Sequence, residues 1–158
     1  MLFDNKFSVA PMMDWTDQHC RYFHRLISSH AVLYTEMISA DALLFGPREK
    51  LLSFNKEELP CVLQIGGNNP DKLSKAAKYG QDNGYSEINL NIGCPSNRVQ
   101  NGSFGACLME TPKLVAECVK VIQENCQIPV TIKCRIGIDD MDEIKGLDDF
   151  VDEVSLLG

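Results

Sequence analysis

The chain has 158 residues, of which 44% are hydrophobic and 23% charged, and its formal net charge is −7. That length and apolar content suit one folded domain with a real core and exclude a disordered chain. The acidic balance excludes a general nucleic-acid binder, because affinity for phosphate backbones comes mostly from Lys and Arg.

No run approaches the roughly 18 apolar residues of a membrane span. Met1 to Lys6 has no basic region followed by an apolar stretch, so a soluble, cytoplasmic protein is expected. Seven cysteines form no CxxC pair, and an odd, scattered set reads as reduced thiols rather than a disulfide framework. There is no internal repeat and no low-complexity stretch.

In chain order, Phe7 to Pro11 reads as a short strand, followed by the turn Pro11-Met12-Met13-Asp14-Trp15-Thr16-Asp17. Thr16 is a candidate cap for a helix running to about Ile27. Strands follow at Ala31 to Met37 and Cys61 to Ile65. Asn69 as cap and Pro70 in the first turn predict a helix to Asp82 that stops near Gly84. Glu87 to Asn91 is the fourth strand. Thr111 and Pro112 then open a helix with Leu114, Val115, Cys118, Val121 and Ile122 on one face. Val130 to Ile136 is the fifth strand and, from Val130, Ile132 and Ile136, is expected to be mostly buried. Asp139 to Asp149 is acidic and irregular, and a last helix is predicted from Leu147 to Leu157.

This alternation is the βαβ signature of an α/β protein with a parallel sheet. The turn after the first strand contains no glycine, whereas an open dinucleotide fold would place GxGxxG there. Polar or Gly-rich patches follow several strands instead, as at Gln64-Ile-Gly-Gly, Asn91-Ile-Gly-Cys and Lys133-Cys-Arg. That distribution fits a (β/α)8 TIM barrel, whose site is assembled at the carboxyl ends of many strands. Such a barrel needs eight strands and typically about 250 residues, so residues 1–158 are expected to be its first five β/α units, with exposed edges at the first and fifth strands.

The densest stretch of candidate chemistry runs from Glu87 to Cys107 and turns from strand to loop at Gly93-Cys94-Pro95. Cys94, between Gly and Pro on a loop after a barrel strand, is a candidate functional thiol. Cys20, Cys61, Cys118, Cys126 and Cys134 read as small buried hydrophobes, and Cys107 as packing or loop support. Lys133 and Arg135, two residues apart at the end of a strand, point to one face and suit an anionic ligand. The amides of Gln64, Asn89 and Asn91 can read a heterocycle edge or serve ordinary core hydrogen bonding. Met12, Met13 and Trp15 can pack on a flat ring or fill the core. His19, His24 and His30 lack metal-ligand spacing, and the acidic run from Asp139 to Glu143 lacks the order of an EF-hand, so no metal is expected.

Ala10-Pro-Met-Met-Asp-Trp-Thr-Asp, Tyr34-Thr-Glu-Met, Gln64-Ile-Gly-Gly, the stretch from Glu87 through Met109, and Lys133-Cys-Arg-Ile-Gly-Ile-Asp resemble bacterial tRNA-dihydrouridine synthases of the A-type subgroup. The resemblance implies an FMN-containing eightfold barrel. It implies that NADPH reduces the flavin and that the flavin then reduces uridine 20 or 20a in the D-loop of transfer RNA. Pro11, Met12 and Met13 would contact the flavin, Gln64 and Lys133 would bond its ring, Asn91 would touch the target nucleotide, Arg135 would help hold the substrate, and Cys94 would be the general acid. The later strands, which supply most of the flavin phosphate site, and a C-terminal helical tRNA-binding domain are expected to lie outside residues 1–158.

Other readings remain at this level. One is a flavoprotein that reduces a free pyrimidine or a dihydroorotate-like small molecule; Arg98-Val-Gln-Asn-Gly and Asp14-Trp-Thr-Asp favour the tRNA enzyme over it. Another is a non-catalytic RNA-binding remnant, and a third is a half-barrel that dimerises to cover its edges.

Overall fold

Every strand pairing among the described residues is parallel. The computed structural model describes residues 7–96, 99 and 101–156. The strands are β1 (Ser8–Val9), β2 (Val32–Tyr34), β3 (Ile38–Ser39), β4 (Cys61–Gly66), β5 (Glu87–Ile92) and β6 (Val130–Cys134). The helices are α1 (Gln18–Ile27), α2 (Ala40–Phe45), α3 (Arg48–Leu51), α4 (Pro70–Asp82), α5 (Pro112–Asn125) and α6 (Lys145–Ser155), with 3-10 turns at Lys56–Glu58 and Gly105–Glu110. The sheet order is β1-β2-β4-β5-β6, with β3 also on β4. Sequential parallel neighbours joined by helices make a half-barrel of the eightfold type, as the strand-helix alternation predicts.

The second predicted strand is broken in two. Its first part pairs Leu33 with Cys61 and its second pairs Ile38 with Ile65 on the same strand, β4. At the break, the Thr35 hydroxyl accepts the Gln64 N–H at 3.0 Å and donates to the Glu36 carbonyl at 2.8 Å. A side chain thus takes a ladder bond that a strand carbonyl would otherwise accept.

On β4, β5 and β6 alternate residues go to opposite faces. Leu63, Ile65, Ile88, Leu90 and Ile92 join Leu73, Ala76 and Ala77 of α4 and Val115, Cys118, Val119 and Ile122 of α5 in one apolar core, which Phe150 of α6 extends. The α4 boundaries are as predicted, with the Asn69 side chain accepting from the Lys72 N–H at 3.0 Å.

Several boundaries differ from the sequence reading. Asp17, not Thr16, caps α1, its carboxylate accepting from His19 and Cys20 N–H groups. Thr111 precedes α5 but makes no capping bond with its side chain; its hydroxyl donates to the Leu108 carbonyl instead. Val119 and Ala116, not Val121, complete the buried face of α5, because the sheet beneath takes a wider stripe than the predicted row. The final helix starts at Lys145, two residues early. The fifth strand ends at Cys134 and is only half-buried, and Ile136 is 65% exposed. As the terminal strand of the sheet, β6 has a neighbour on one side alone. No helix among the described residues is long and apolar enough to cross a membrane.

At the foot of the sheet, Arg21 of α1 is held by the buried Glu58 at 2.6 Å and by the Thr16 carbonyl at 2.8 Å. Glu58 also accepts from the N–H and side-chain amide of Asn55. A buried charge is tolerable only with such a complete set of partners, and this one fixes α1, and with it the turn after β1, against the approach to β4.

Candidate active site

The inner face of the half-barrel, opposite the helices, departs from the branched apolar filling usual in this architecture. Gln64, Glu87, Asn89 and Asn91 are all buried there, and Thr131 and Lys133 continue the same face on β6, opposite Asn89 and Asn91. Each amide bonds across a strand boundary. Asn91 Nδ2 donates to Gln64 Oε1 at 2.9 Å, Gln64 Nε2 to Asn89 Oδ1 at 2.8 Å, and Asn89 Nδ2 to Thr131 Oγ1 at 2.9 Å. The Thr131 hydroxyl donates to Glu87 Oε1. Burial pushes the Glu87 carboxyl above its ordinary pKa, and the Thr131 bond pulls it partly back.

At the carboxyl end of β5, Asn91 Oδ1 accepts from the N–H of Gly93 at 3.1 Å and of Cys94 at 2.9 Å. This Asx turn bends the chain out of the strand and leaves Cys94 half-buried at the mouth, its Sγ 3.5 Å from Ser96 Oγ. The returning loop locks the turn from behind. The Ala106 N–H donates to the Cys94 carbonyl at 3.0 Å. Gly105 has φ +77° at this approach, and a Cβ there would stand 2.6 Å from the Cys94 carbonyl oxygen. From β6, Arg135 Nε donates to the Gly93 carbonyl at 2.7 Å.

The other thiols are set apart by burial. Those of Cys61 and Cys118 are pushed up to about 12 by burial, and those of Cys126 and Cys20 also rise. Cys61, Cys118 and Cys126 are buried as predicted, whereas Cys20 and Cys134 are half-buried, Cys20 on the outer helix and Cys134 on the edge strand. The Cys107 thiol donates to the Phe104 carbonyl at 3.3 Å and so supports the loop.

The turn after β1 is closed on itself. Buried Thr16 accepts from the Met12 N–H at 3.0 Å and donates to the Met12 carbonyl at 3.1 Å, while Asp14, at φ +64°, gives its N–H to Glu36. The turn displays Met12, Met13 and Trp15, the last 73% exposed, with Pro11 half-buried beneath. Met12, Met13 and Trp15 therefore do not fill the core.

Of the predicted residues, Asn91, Gln64 and Cys94 are brought together by hydrogen bonds. Lys133 is exposed beside Asn91 with no salt-bridge partner among the described residues. Arg135 lies past the end of the strand and lines a cavity of about 230 Å³ with Pro95, Ala106, Cys107, Glu110 and Asp139. Arg98 lies outside the described residues. Sequence reasoning missed Glu87, Thr131, Thr35 and Gly105. A polar residue at every second position of Glu87-Ile-Asn-Leu-Asn was the available signal for the first of these. Among the described residues no group of three or more His, Cys, Asp or Glu is placed to hold a metal ion.

Parallel strands with a polar inner face define half of a TIM-type barrel, and the thiol past the carboxyl end of β5 marks a candidate site at its mouth. The dihydrouridine synthase (Dus) family model matches residues 8–158, and the chain belongs to that family. It is 57% identical over 153 residues to a tRNA-dihydrouridine(20/20a) synthase of Vibrio parahaemolyticus, covering 97% of this chain and 47% of the relative. Proteins of the same name from Synechocystis sp. and Escherichia coli are 56% identical over 154 residues and 54% over 150, covering 98% and 95% of this chain and 46% and 45% of theirs. The chain spans about half the length of these relatives.

Proposed function

We propose that this chain carries the proton-donor side of a tRNA-dihydrouridine(20/20a) synthase, which reduces the C5=C6 bond of a D-loop uridine. The observation that carries this reading is Cys94, displayed at the barrel mouth on a turn held by Asn91. In this reading residues 1–158 are the N-terminal part of an FMN-binding barrel. Later strands and a C-terminal helical tRNA-binding domain belong to the remaining length of such proteins.

The residues at the mouth fit a flavin in part. Exposed Met12 and Met13 offer an apolar wall over Pro11, Lys133 offers a cation with no ion-pair partner among the described residues, and Gln64 has one amide hydrogen and one lone pair outside its network bonds. Bound FMN, reduced by NADPH, would supply hydride to uracil C6. Lys133 would offset negative charge on a flavin ring held there. Asn91 keeps one amide hydrogen for the base. Cys94 delivers the proton to C5, a task an ordinary thiol with a pKa of about 8.5 can perform while still protonated at neutral pH. Arg135 braces the Gly93 carbonyl and leaves the rest of its guanidinium for substrate. A uridine stacked in RNA cannot reach such a recessed site, so the base must be flipped out. A deep site that grips one base needs few cations, which is compatible with the acidic chain. A cytoplasmic location goes with transfer RNA as the proposed substrate.

The test is NADPH-dependent dihydrouridine formation on unmodified transfer RNA by the purified protein, with its visible spectrum read for bound flavin and Cys94→Ala as control. The expected result, for these residues joined to the remaining strands of the barrel, is a yellow protein whose activity is lost in the variant, whereas residues 1–158 alone are expected to be colourless and inactive. Turnover of free pyrimidine without RNA overturns the substrate, and full activity in Cys94→Ala overturns the proton donor.

A further inference from the structure

The hydrogen bonds of the inner face run in one direction. Cys94 and Gly93 donate to Asn91, Asn91 to Gln64, Gln64 to Asn89, Asn89 to Thr131, and Thr131 to Glu87. A primary amide can be turned end for end in isolation, but not here. At one end two backbone N–H groups can only donate, so Asn91 must offer its oxygen to them and its NH2 to Gln64. At the other end the Glu87 carboxyl accepts from the Thr131 hydroxyl. Reversing any amide between them sets two donors or two acceptors face to face in a buried site, which is costly.

We propose that Glu87, Thr131 and Asn89 are positioning residues that hold the Gln64 amide in place against Asn91 and, through Asn91, steady the backbone turn that presents the Cys94 thiol. None of the three touches the mouth. Glu87 lies four residues before Asn91, at the opposite end of β5 from the turn, and the string connects the two across β4, β5 and β6. The catalytic consequence rests on the proposed role of Cys94; the mechanical content does not.

The experiment compares wild type, Thr131→Val and Thr131→Ser in the purified protein. The rate of Cys94 alkylation by iodoacetamide is read by peptide mass spectrometry against Cys20 on α1 as internal reference. Valine keeps the shape and removes the link, whereas serine keeps the hydroxyl. Thr131→Val is expected to change the Cys94 rate relative to Cys20 roughly fivefold, the scale of one net hydrogen bond, and Thr131→Ser to restore it to within about twofold. A folded Thr131→Val protein with an unaltered Cys94 rate overturns the proposal, as does a change shared equally by Cys20. Should Thr131→Val not fold, side-chain amide hydrogen exchange in the wild type decides. Slow exchange at Gln64, Asn89 and Asn91 supports the string, and exchange at the rate of an unstructured amide overturns it. Neither readout needs flavin, NADPH or RNA, so a protein inactive on transfer RNA leaves the test intact.

Discussion

Along β5, Ile88, Leu90 and Ile92 join α4 and α5 in apolar contact, whereas Glu87, Asn89 and Asn91, one step out of phase, are also buried but held by hydrogen bonds. The two faces therefore answer differently to substitution. An apolar face loses stability in proportion to the volume removed and tolerates swaps of similar size. A polar face loses it wherever a partner is orphaned, whatever the volume. One strand thus carries two kinds of stabilisation, separated by parity alone.

The largest effect should come from the apolar face. Leu90→Ala is expected to cost about 2–5 kcal/mol, and Leu90→Met less than about 1.5 kcal/mol, in urea unfolding. Equal losses would erase the rule that volume governs this side. Gly105→Ala comes next, since it puts a Cβ against the Cys94 carbonyl at a positive φ. A loss of roughly 1–2 kcal/mol from the backbone alone is expected, together with an altered alkylation rate at Cys94. A neutral result would show that the loop does not press on the turn. Asn91→Ala removes little volume yet strips partners from Gly93, Cys94 and Gln64. A cost of roughly 1–3 kcal/mol is expected from orphaned groups, and a loss no greater than that of an exposed Asn→Ala would break the contrast between the faces.

How much of this was legible in the sequence follows from the same parity. The α4 boundaries were readable because Asn69 and Pro70 are local signals whose chemistry is complete within one turn. The barrel class was readable from the spacing of strands and the polar patches after them. The short helices α2 and α3 were not, because Ala40–Phe45 and Arg48–Leu51 carry too few residues to show a period. Nor was the break at Thr35, whose cause is a hydroxyl meeting an N–H 29 residues away. In the site, Cys94, Asn91 and Gln64 stood out by type and position. Thr131 did not, since its partners lie on a neighbouring strand and register is a tertiary fact, and for Glu87 the alternation along β5 shows the face it shares with Asn91 but not the partner it bonds. Lys133 and Arg135 were expected on one face at the end of a strand; β6 ends at Cys134 between them, and Arg135 donates to the Gly93 carbonyl, a contact that depends on register.

The smallest expected effect concerns the charge at the foot of the polar face. Burial raises the Glu87 carboxyl above its ordinary value of 4.5, so in the window just above that value the folded protein holds a proton that the unfolded chain has released. With more protons bound in the folded state, stability falls as pH rises through this window and levels off above the folded-state pKa. Tyr34 of β2, the titratable neighbour that feels Glu87, is pushed up to about 12 by burial first and by that carboxylate second, and it stays neutral throughout. Glu87→Gln keeps an oxygen to accept from Thr131 and removes the charge. Its stability relative to wild type should therefore rise as pH is taken from about 4.5 towards neutrality and then stay constant. Urea unfolding of both proteins across that range checks this. A difference that shrinks with rising pH would mean that the carboxylate is stabilised in place by more than the Thr131 hydroxyl, and the contrast between an apolar face held by volume and a polar face held by partners would need a charge on its polar side.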